Sequence, residues 1–306
     1  MARGLHGEKL YAAAHSDKTP RADVLRLERA LERYDDWVRQ LENASAQSAD
    51  ELLAHLVDLL NDYKNFIDVE LIFDSDEDFL YRQRGQLKLD NSVLEEFLPI
   101  MVRKCLPHRH LQDYQIGSQA AIFSSAYFAS SLESPGLGGG MMIKTKNHDF
   151  SMSRRIYLRT SFDENFAPSR TRSLETSLGY VLAELKTNLD KTMFQEASAS
   201  AHEAKLAVPG AKYYLLCDYL DMQPISTAIT DIDEILILRK ARRIHASARQ
   251  AFNSSAGRRA RRDWYVGFLQ EHPYATDVFR RFLSHVTLLM SDGGLEEESI
   301  LKTGYF

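Results

Sequence analysis

Residues 178–195 read LGYVLAELKTNLDKTMFQ, and this stretch decides the fold. Its first half, residues 178–186, is mostly apolar and ends in Glu184-Leu185-Lys186. A short apolar run of this length predicts a buried strand. The next residues, TNLD, offer the side chains that begin helices, so residues 190–206 are predicted to be helical. The rest of the chain can be arranged around this strand and helix.

Further strand patterns flank this unit. Residues 151–160 are rich in strand-forming side chains, residues 212–220 are almost continuously apolar, and residues 234–238 read EILIL. The resulting order of strand, strand, helix, strand and strand predicts an α/β fold with a mixed sheet flanked by helices.

The N-terminal third predicts helices instead. Apolar residues recur at spacings of three and four over residues 21–43. Ser48 with Glu51 and Ser92 with Glu95 have the spacing of a capping box, so each pair predicts a helix start. The simplest interpretation is a helical core. The narrower one is an arm that packs on a partner subunit or on DNA.

Length and composition restrict the class of protein. The chain has 306 residues, which suits one large or two ordinary domains. We divide it into a helical region of DNA binding or dimerisation, residues 1–110, and a catalytic core, residues 111–306. The glycine-rich run 133–140 is either an internal boundary or a tight turn between strands of one domain.

Charge and cysteine content exclude several kinds of protein. The formal net charge is −5, which excludes a uniformly basic nucleic-acid coat protein but not a local basic patch. Two cysteines cannot form a disulfide framework. No apolar run approaches the roughly 18 residues that span a bilayer, and no secretory signal is visible, so we expect a cytoplasmic protein without membrane contact.

The Glu184-x-Lys186 motif has chemical meaning. Some nucleases hydrolyse phosphodiesters with two carboxylates that hold Mg²⁺ and a lysine that positions the attacking water. Residues i and i+2 of a strand share one face, so Glu184 and Lys186 would point into one cleft. The carbonyl of Leu185 could be a further metal ligand.

The motif alone is weakly specific. Asp62/Lys64 and Glu203/Lys205 have the same spacing, but both pairs lie in predicted helices, where residues i and i+2 do not face each other. Only Glu184/Lys186 ends an apolar strand. The simpler alternative is a strand end with solvated charges.

A second carboxylate must reach the same metal ion. Asp149 begins the strand at 151–160 and Asp163 follows it. In an antiparallel hairpin, the start of the first strand lies beside the end of the second, which places Asp149 near Glu184. Asp163 would lie about 30 Å away. Asp149 is therefore the better candidate for the second metal ligand. The alternative role for Asp149 is that of a turn or cap residue. If the strands did not form this hairpin, Asp163 or Glu175 would again be a candidate ligand.

A basic segment, residues 239–262, is a candidate DNA-binding element. No Asp or Glu interrupts it, and such a run suits contacts with phosphates and with guanine. The alternative is a solvated surface with intramolecular ion pairs. The basic residues are Arg239, Lys240, Arg242, Arg243, Arg249, Arg258, Arg259, Arg261 and Arg262.

The run from Glu184 to Gln195, ELKTNLDKTMFQ, together with the sequence that follows it, resembles the type II restriction endonuclease family named after the Bpu-ten-I (Bpu10I) enzyme. The resemblance is centred on residues 141–245 and extends to the C-terminal GYF. It implies a PD-(D/E)xK nuclease fold and Mg²⁺-dependent cleavage of duplex DNA at a short site of the CCTNAGC or CCTNAGG type, leaving 5′-phosphate ends.

Several site residues follow from the resemblance. Glu184 and Lys186 match the E-x-K motif, and Asp149 matches the upstream acid, although His148 stands where the pattern has proline. Gln195 and Glu196 could support the site or contact DNA. The resemblance also implies a homodimer on a symmetric site or a heterodimer with a related chain on an asymmetric one.

Three other functions remain open from the sequence. A repair or recombination nuclease could use the same fold, but it would need DNA ends, flaps or lesions. A DNA-binding protein without cleavage could use the basic segment alone. An interaction protein could use the N-terminal helices, with the basic segment contacting an acidic partner.

Overall fold

The computed structural model describes residues 3–106, 111–118, 120–291, 301–302 and 304. Seven strands in these ranges form one mixed sheet. The strands are β1 (Gln115–Gly117), β2 (Ala121–Phe128), β3 (Met141–Asn147), β4 (Phe150–Ser161), β5 (Thr171–Leu189), β6 (Lys212–Leu220) and β7 (Glu234–Arg242).

Helices pack around the sheet, and a π-helical segment, Phe66–Phe73, continues the third of them. The α-helices are α1 (Leu5–Ala14), α2 (Arg21–Asn43), α3 (Ala49–Asn65), α4 (Phe79–Gln83), α5 (Ser92–Cys105), α6 (Lys191–Ala207), α7 (Ala246–Ala251), α8 (Ser255–Ala260), α9 (Arg262–Glu271) and α10 (Thr276–Ser291). In the parts of the chain given above, no helix is both long enough and apolar enough to cross a lipid bilayer.

The β4–β5 hairpin is the centre of the sheet. The two strands are antiparallel from Phe150, opposite Ala183, to Ser161, opposite Thr171. The inner part of β5 also pairs in parallel with β6, which pairs in parallel with β7. The predicted mixed sheet and hairpin are therefore confirmed. The glycine-rich run 133–140 lies in the connection between β2 and β3, so its interpretation as a turn between strands is the correct one.

Both faces of the inner part of the sheet are buried. One face packs against the N-terminal helices and α10, and the other packs against α6. The first of these cores extends from Leu10 through Leu185 to Val286, so it crosses the predicted boundary at residue 110. The division into two domains stays a prediction.

One predicted helix cap is correct and one is wrong. The Ser48 side chain accepts a hydrogen bond from the Glu51 amide and begins α3. In α5 the N-cap is Asn91, whose backbone is already helical, so Ser92 lies inside the first turn. The Ser92 hydroxyl instead donates to the Lys88 carbonyl at 2.5 Å.

His6 connects α1 to α3 and α5. Its ring is buried, with Nδ1 2.8 Å from the Ser92 hydroxyl and Nε2 2.9 Å from the Tyr63 hydroxyl. The Ser92 proton is used on the Lys88 carbonyl, so His6 Nδ1 donates to Ser92 and Nε2 accepts from Tyr63. Burial, and secondarily the charge of Lys64, lower the pKa of His6 to about 3.

The basic segment packs against the turn after the π-helix. Arg258 is 1% exposed, and its guanidinium donates to four backbone carbonyls and to the Asp78 carboxylate. The carbonyls are those of Phe73, Ser75, Glu77 and Phe252, at 2.8 to 3.1 Å. Arg239 is 2% exposed, lies over the Tyr274 ring and is 3.6 Å from Asp68. The predicted DNA contact is therefore wrong for Arg239 and Arg258, because both are needed inside the protein.

Acidification should expose the role of His6 in stability. The unfolded chain binds a proton at His6 as the pH falls below 6.5, whereas the folded protein does so only near 3. The free energy of unfolding should therefore fall with decreasing pH, by up to about 1.4 kcal/mol per pH unit from this group. Urea unfolding between pH 7.5 and 4.5 should show a shallower slope for His6→Gln. A His55→Gln control, at an exposed histidine, should keep the wild-type slope; equal slopes for all three proteins would contradict the assignment.

Removing the buried guanidinium should destabilise the protein strongly. Arg258→Met keeps the apolar stem but leaves four backbone carbonyls without this donor, while Asp78 keeps its contact with Arg82. The cost of the unsatisfied carbonyls should be about 3–5 kcal/mol. Arg259→Met is the matched control, because the Arg259 side chain is 65% exposed and lies 3.7 Å from the exposed Asp76; it should cost less than about 1 kcal/mol. The measurement is the urea midpoint of each variant. Similar midpoints for the two variants would show that the Arg258 contacts are not structural.

Candidate functional site

The upstream acid and the E-x-K motif meet where the β4–β5 ladder ends. Phe150 is the first residue of β4 and pairs with Ala183 at the inner end of the ladder, and Asp149 directly precedes it. The Asp149 carboxylate accepts a hydrogen bond from the Leu185 amide at 2.9 Å. Backbone N–H and C=O groups of one strand residue point to the same side, so the Leu185 carbonyl also faces Asp149. The hairpin thus brings Asp149 to Glu184-Leu185-Lys186, as the sequence predicts.

Glu184 and Lys186 lie on the face of β5 that packs against α6. The Lys186 ammonium is 3.1 Å from one Glu184 oxygen, and the Tyr213 hydroxyl of β6 donates to the other at 2.7 Å. The Glu184 side chain is 12% exposed and that of Lys186 is 26% exposed. The pair is therefore exposed enough to reach a ligand and shielded enough from water to strengthen its charge interactions.

The two charges stabilise each other against burial. Burial alone would raise the pKa of Glu184, but the hydrogen bond from Tyr213 and the charge of Lys186 outweigh it, and the pKa lies below its usual value. Burial would likewise lower the pKa of Lys186, but Glu184, and more weakly Asp149 and Glu196, raise it. At neutral pH Glu184 is therefore ionised and Lys186 is protonated.

Several neighbours of Glu184 were not found by sequence reasoning. Tyr213 holds one carboxylate oxygen, and the buried Ser200 of α6 is a further hydrogen-bonding neighbour of Glu184. The Lys146 ammonium in turn donates to the Ser200 hydroxyl. His148 packs its edge on the Tyr213 ring at 5.7 Å, and burial lowers the pKa of His148 to about 4. No sequence motif identifies these residues, because they reach the site only through the register of β5 with β6 and the packing of α6.

The other candidate acids lie elsewhere. Asp163 accepts hydrogen bonds from the amides of Asn165 and Ala167 in the turn after β4, at the far end of the hairpin. Glu175 is paired with Tyr157, also in the outer hairpin. Of the two supporting candidates, Gln195 is exposed on α6, and Glu196 contributes to the charge field at Lys186.

The remaining E-x-K-like tripeptides have structural partners. Lys64 is buried and paired with Asp68, Glu203 is paired with Lys144, and Lys205 is paired with Asp233. Because Glu184 and Lys186 are also an ion pair, these contacts do not decide between the tripeptides, and the choice of Glu184/Lys186 at the end of an apolar strand stays a prediction.

The donor set at this site suits a hard divalent cation. Across the described ranges, no group of three or more His, Cys, Asp and Glu side chains lies together so as to hold a metal ion. Here the oxygen donors are two carboxylates, Asp149 and Glu184, and the Leu185 carbonyl that faces Asp149. Mg²⁺ binds proteins through one or two carboxylates and keeps several waters, so this small oxygen set fits it.

Most of the surface members of the basic segment are paired with acids. The pairs within the described chain are Lys240 with Asp277, Arg243 with Asp221, Arg259 with Asp76 and Arg262 with Asp74. Arg242 and Arg261 are exposed. The alternative of intramolecular ion pairs thus describes much of the segment. Arg242 and Arg261 are its exposed members outside these four ion pairs.

The chain resembles known proteins in sequence and in fold. The family model described as Bpu10I restriction endonuclease matches residues 86–306. A chain of the native BbvCI A2B2 tetramer, solved at low resolution, superposes with a TM-score of 0.65 at 18% identity, covering 97% of this chain and 100% of that one. No protein with a curated description matches.

The structural likeness supports the fold, and the sequence match decides the family. Residues 86–306 are more than half of the chain and include the whole β-sheet with Asp149, Glu184 and Lys186. Among the functions that the sequence left open, the match selects the restriction endonuclease over a repair nuclease, a non-cleaving DNA-binding protein and an interaction protein. The chain therefore belongs to the Bpu10I restriction endonuclease family and is a type II restriction endonuclease, a site-specific deoxyribonuclease.

Proposed function

We propose that the protein hydrolyses phosphodiester bonds of duplex DNA with Mg²⁺ held by Asp149, Glu184 and the Leu185 carbonyl, and with Lys186 beside the attacking water. The observation that carries this proposal is the 2.9 Å hydrogen bond between the Asp149 carboxylate and the Leu185 amide. It ties the upstream acid to the middle residue of the E-x-K motif, so the oxygen donors converge without a further ligand residue.

The charges at the site suit this chemistry. When bound, Mg²⁺ would polarise the scissile phosphate and make a coordinated water more acidic. Lys186, whose pKa is raised by Glu184, stays protonated, so it donates hydrogen bonds to the water and to the phosphate instead of acting as the base. Tyr213 fixes one Glu184 oxygen and leaves the side that faces Lys186 to the reaction. The water attacks phosphorus as the P–O3′ bond breaks; the attacking water gives up one proton to solvent and the departing O3′ takes one up from solvent, which leaves 5′-phosphate and 3′-hydroxyl ends.

We propose a short target of the CCTNAGC or CCTNAGG type, because the sequence from Glu184 to Gln195 resembles enzymes associated with such sites. Double-stranded DNA is then the macromolecular substrate. Arg242 and Arg261, the open charges of the basic segment, are proposed to contact its phosphates, with Lys240, Arg243, Arg259 and Arg262 available only if their ion pairs open. A restriction enzyme acts on DNA inside the cell, which favours the cytoplasm as its location.

We further propose that the functional unit contains two catalytic chains, either two copies or one copy with a related subunit. One Asp149/Glu184/Lys186 site cuts one strand, and a double-strand cut at one target usually needs two sites. The printed description of the BbvCI structure, an A2B2 tetramer, is that of an enzyme with several chains. A symmetric target would suit two copies.

Neutralising the proposed metal ligands should abolish cleavage without unfolding the protein. Glu184→Gln and Asp149→Asn each remove one ligand charge, and we expect the rate on a sequenced plasmid with Mg²⁺ to fall at least about 100-fold. The wild type should give discrete fragments, and EDTA should stop the reaction.

Two variants are matched controls for this experiment. Glu203→Gln alters the neighbouring E-x-K tripeptide, and Asp163→Asn alters the competing upstream acid; both should cut within a fewfold of the wild-type rate. Cleavage by Glu184→Gln at the wild-type rate, or loss of cleavage in Asp163→Asn with Asp149→Asn active, would refute the assigned roles.

A mixing experiment tests the two-site proposal. Equal amounts of wild type and Glu184→Gln, refolded or co-expressed together, form units with one active site if two copies share a target. Supercoiled plasmid should then accumulate as a nicked circle, whereas the wild type alone gives linear DNA. If the mixture only slows the reaction and yields no extra nicked circle, two copies do not act together. A chain that nicks but never linearises DNA by itself would indicate a related partner subunit.

A further inference from the structure

The outer part of the β4–β5 hairpin is a two-stranded ribbon with few neighbours. We call residues 154–161 and 171–177 the distal ribbon. The pairing of β1 with β4 ends at Ser153, and the pairing of β6 with β5 begins only at Val181. The β2 strand touches the ribbon by pairing at one position, Ile122 with Ser177. The distal ribbon therefore extends beyond the body of the sheet.

One face of the distal ribbon is partly covered. At its base, Arg154 lies over the Tyr114 ring at 4.6 Å and is 3.4 Å from Asp113. At its tip, the Thr160 hydroxyl donates to the Gly138 carbonyl and Arg172 donates to the Met141 carbonyl. Gly138 has a φ of +55°, and a Cβ atom there would lie 2.3 Å from the Thr160 carbonyl oxygen. The glycine turn between β2 and β3 thus packs closely on this face.

The opposite face is open and polar. It carries Arg155, Tyr157 and Arg159 of β4, which are all exposed, with Tyr157 at 69%. The residues paired with them on β5 are Ser177, Glu175 and Ser173. Arg155 lies 4.0 Å from Glu175, and both side chains are at least half exposed, so this ion pair is weak and leaves Arg155 able to reach a ligand.

These side chains are those that read DNA bases. Arginine binds guanine by two hydrogen bonds, a carboxylate accepts from cytosine, and serine can bind either. Arginine and tyrosine are enriched in protein–protein interfaces as well, whereas glutamate and serine are depleted there, so a subunit contact is the alternative occupant of this face. A two-stranded β-ribbon also fits the major groove, which is about 12 Å wide.

The position of the ribbon relative to the cleavage site fits a short target. Arg155 lies six residues along β4 from Asp149, or about 20 Å at 3.3 Å per residue. This length corresponds to about six base pairs of duplex DNA at 3.4 Å each. The same two strands can therefore contact a scissile phosphate and bases within the same site.

We propose that the distal ribbon enters the major groove and that its open face reads bases of the recognition sequence, with Arg155 as a specificity-determining residue. The inference rests on the proposed function in that it requires site-specific DNA binding. It places base readout on β4 and β5, away from the basic segment, two of whose arginines are buried.

The test uses a duplex library with a randomised window. Wild type and Arg155→Ala are offered the library with Mg²⁺, and the cut ends are sequenced. In parallel, molecules bound in Ca²⁺ without cleavage are selected and sequenced. Arg155→Ala should lose its preference at one or two base pairs, by roughly tenfold or more, and keep the rest of the wild-type profile. Arg154→Ala, on the adjacent residue and the covered face, should keep the full profile.

Unchanged cut and bound profiles for Arg155→Ala would overturn the inference. It would also be overturned if this variant shifted the sedimentation of the free protein, because the ribbon would then be a subunit contact. A wild type that selects a sequence but does not cut it refutes the proposed catalysis alone, and the bound profiles still test the ribbon. A wild type that selects no sequence refutes the ribbon inference.

Discussion

The hydrogen bond between the Asp149 carboxylate and the Leu185 amide depends on the register of the β4–β5 hairpin, and so does everything else at the site. Just before β4 begins, a side-chain carboxylate replaces the backbone carbonyl that would have continued the ladder. A slip of one residue would turn Glu184 and Lys186 toward the N-terminal helices and bring Leu185 to the face that packs against α6. Register is thus both a folding constraint and the condition for assembling the site.

Burial of the two β5 charges is balanced locally. Glu184 and Lys186 lose most of their contact with water, but they face each other at 3.1 Å, and Tyr213 donates to the remaining carboxylate oxygen. Removing one partner of such a pair leaves an uncompensated charge, which costs more than the pair contributes. Glu184 and Lys186 can therefore be buried only together with their partners. Tyr213 carries no charge, but it is as necessary a partner of Glu184 as Lys186 is.

The sequence predicts β6 and α6 because their apolar residues are packed in the core, and it predicts β4 from its strand-forming side chains although the outer half of this strand is exposed. The strands β1, β2 and β3 were not predicted. Three residues are too few to give β1 a pattern, and β2 reads AIFSSAYF, which does not alternate apolar with polar residues and is mostly exposed. The basic segment was misread at Arg258 because its partners, such as Asp78, are 180 residues away in sequence. A run of basic residues in the sequence does not show which acids will pair with it, because those acids are brought near only by the tertiary fold.

A restriction enzyme must keep a constant distance between the bases it reads and the bond it cuts. In this chain Asp149 and Glu184 lie on the same hairpin as the distal ribbon, without an intervening loop. A hydrogen-bonded pair of strands is much stiffer than a linker, so a base-reading ribbon would be held at a fixed distance from the cleavage site. The bulge between Met152 and Ser153 lies between the two, and bulges bend a strand and increase its twist. The angle between the base-reading ribbon and the cleavage site would then be set by this bulge, which lies next to the cleavage site.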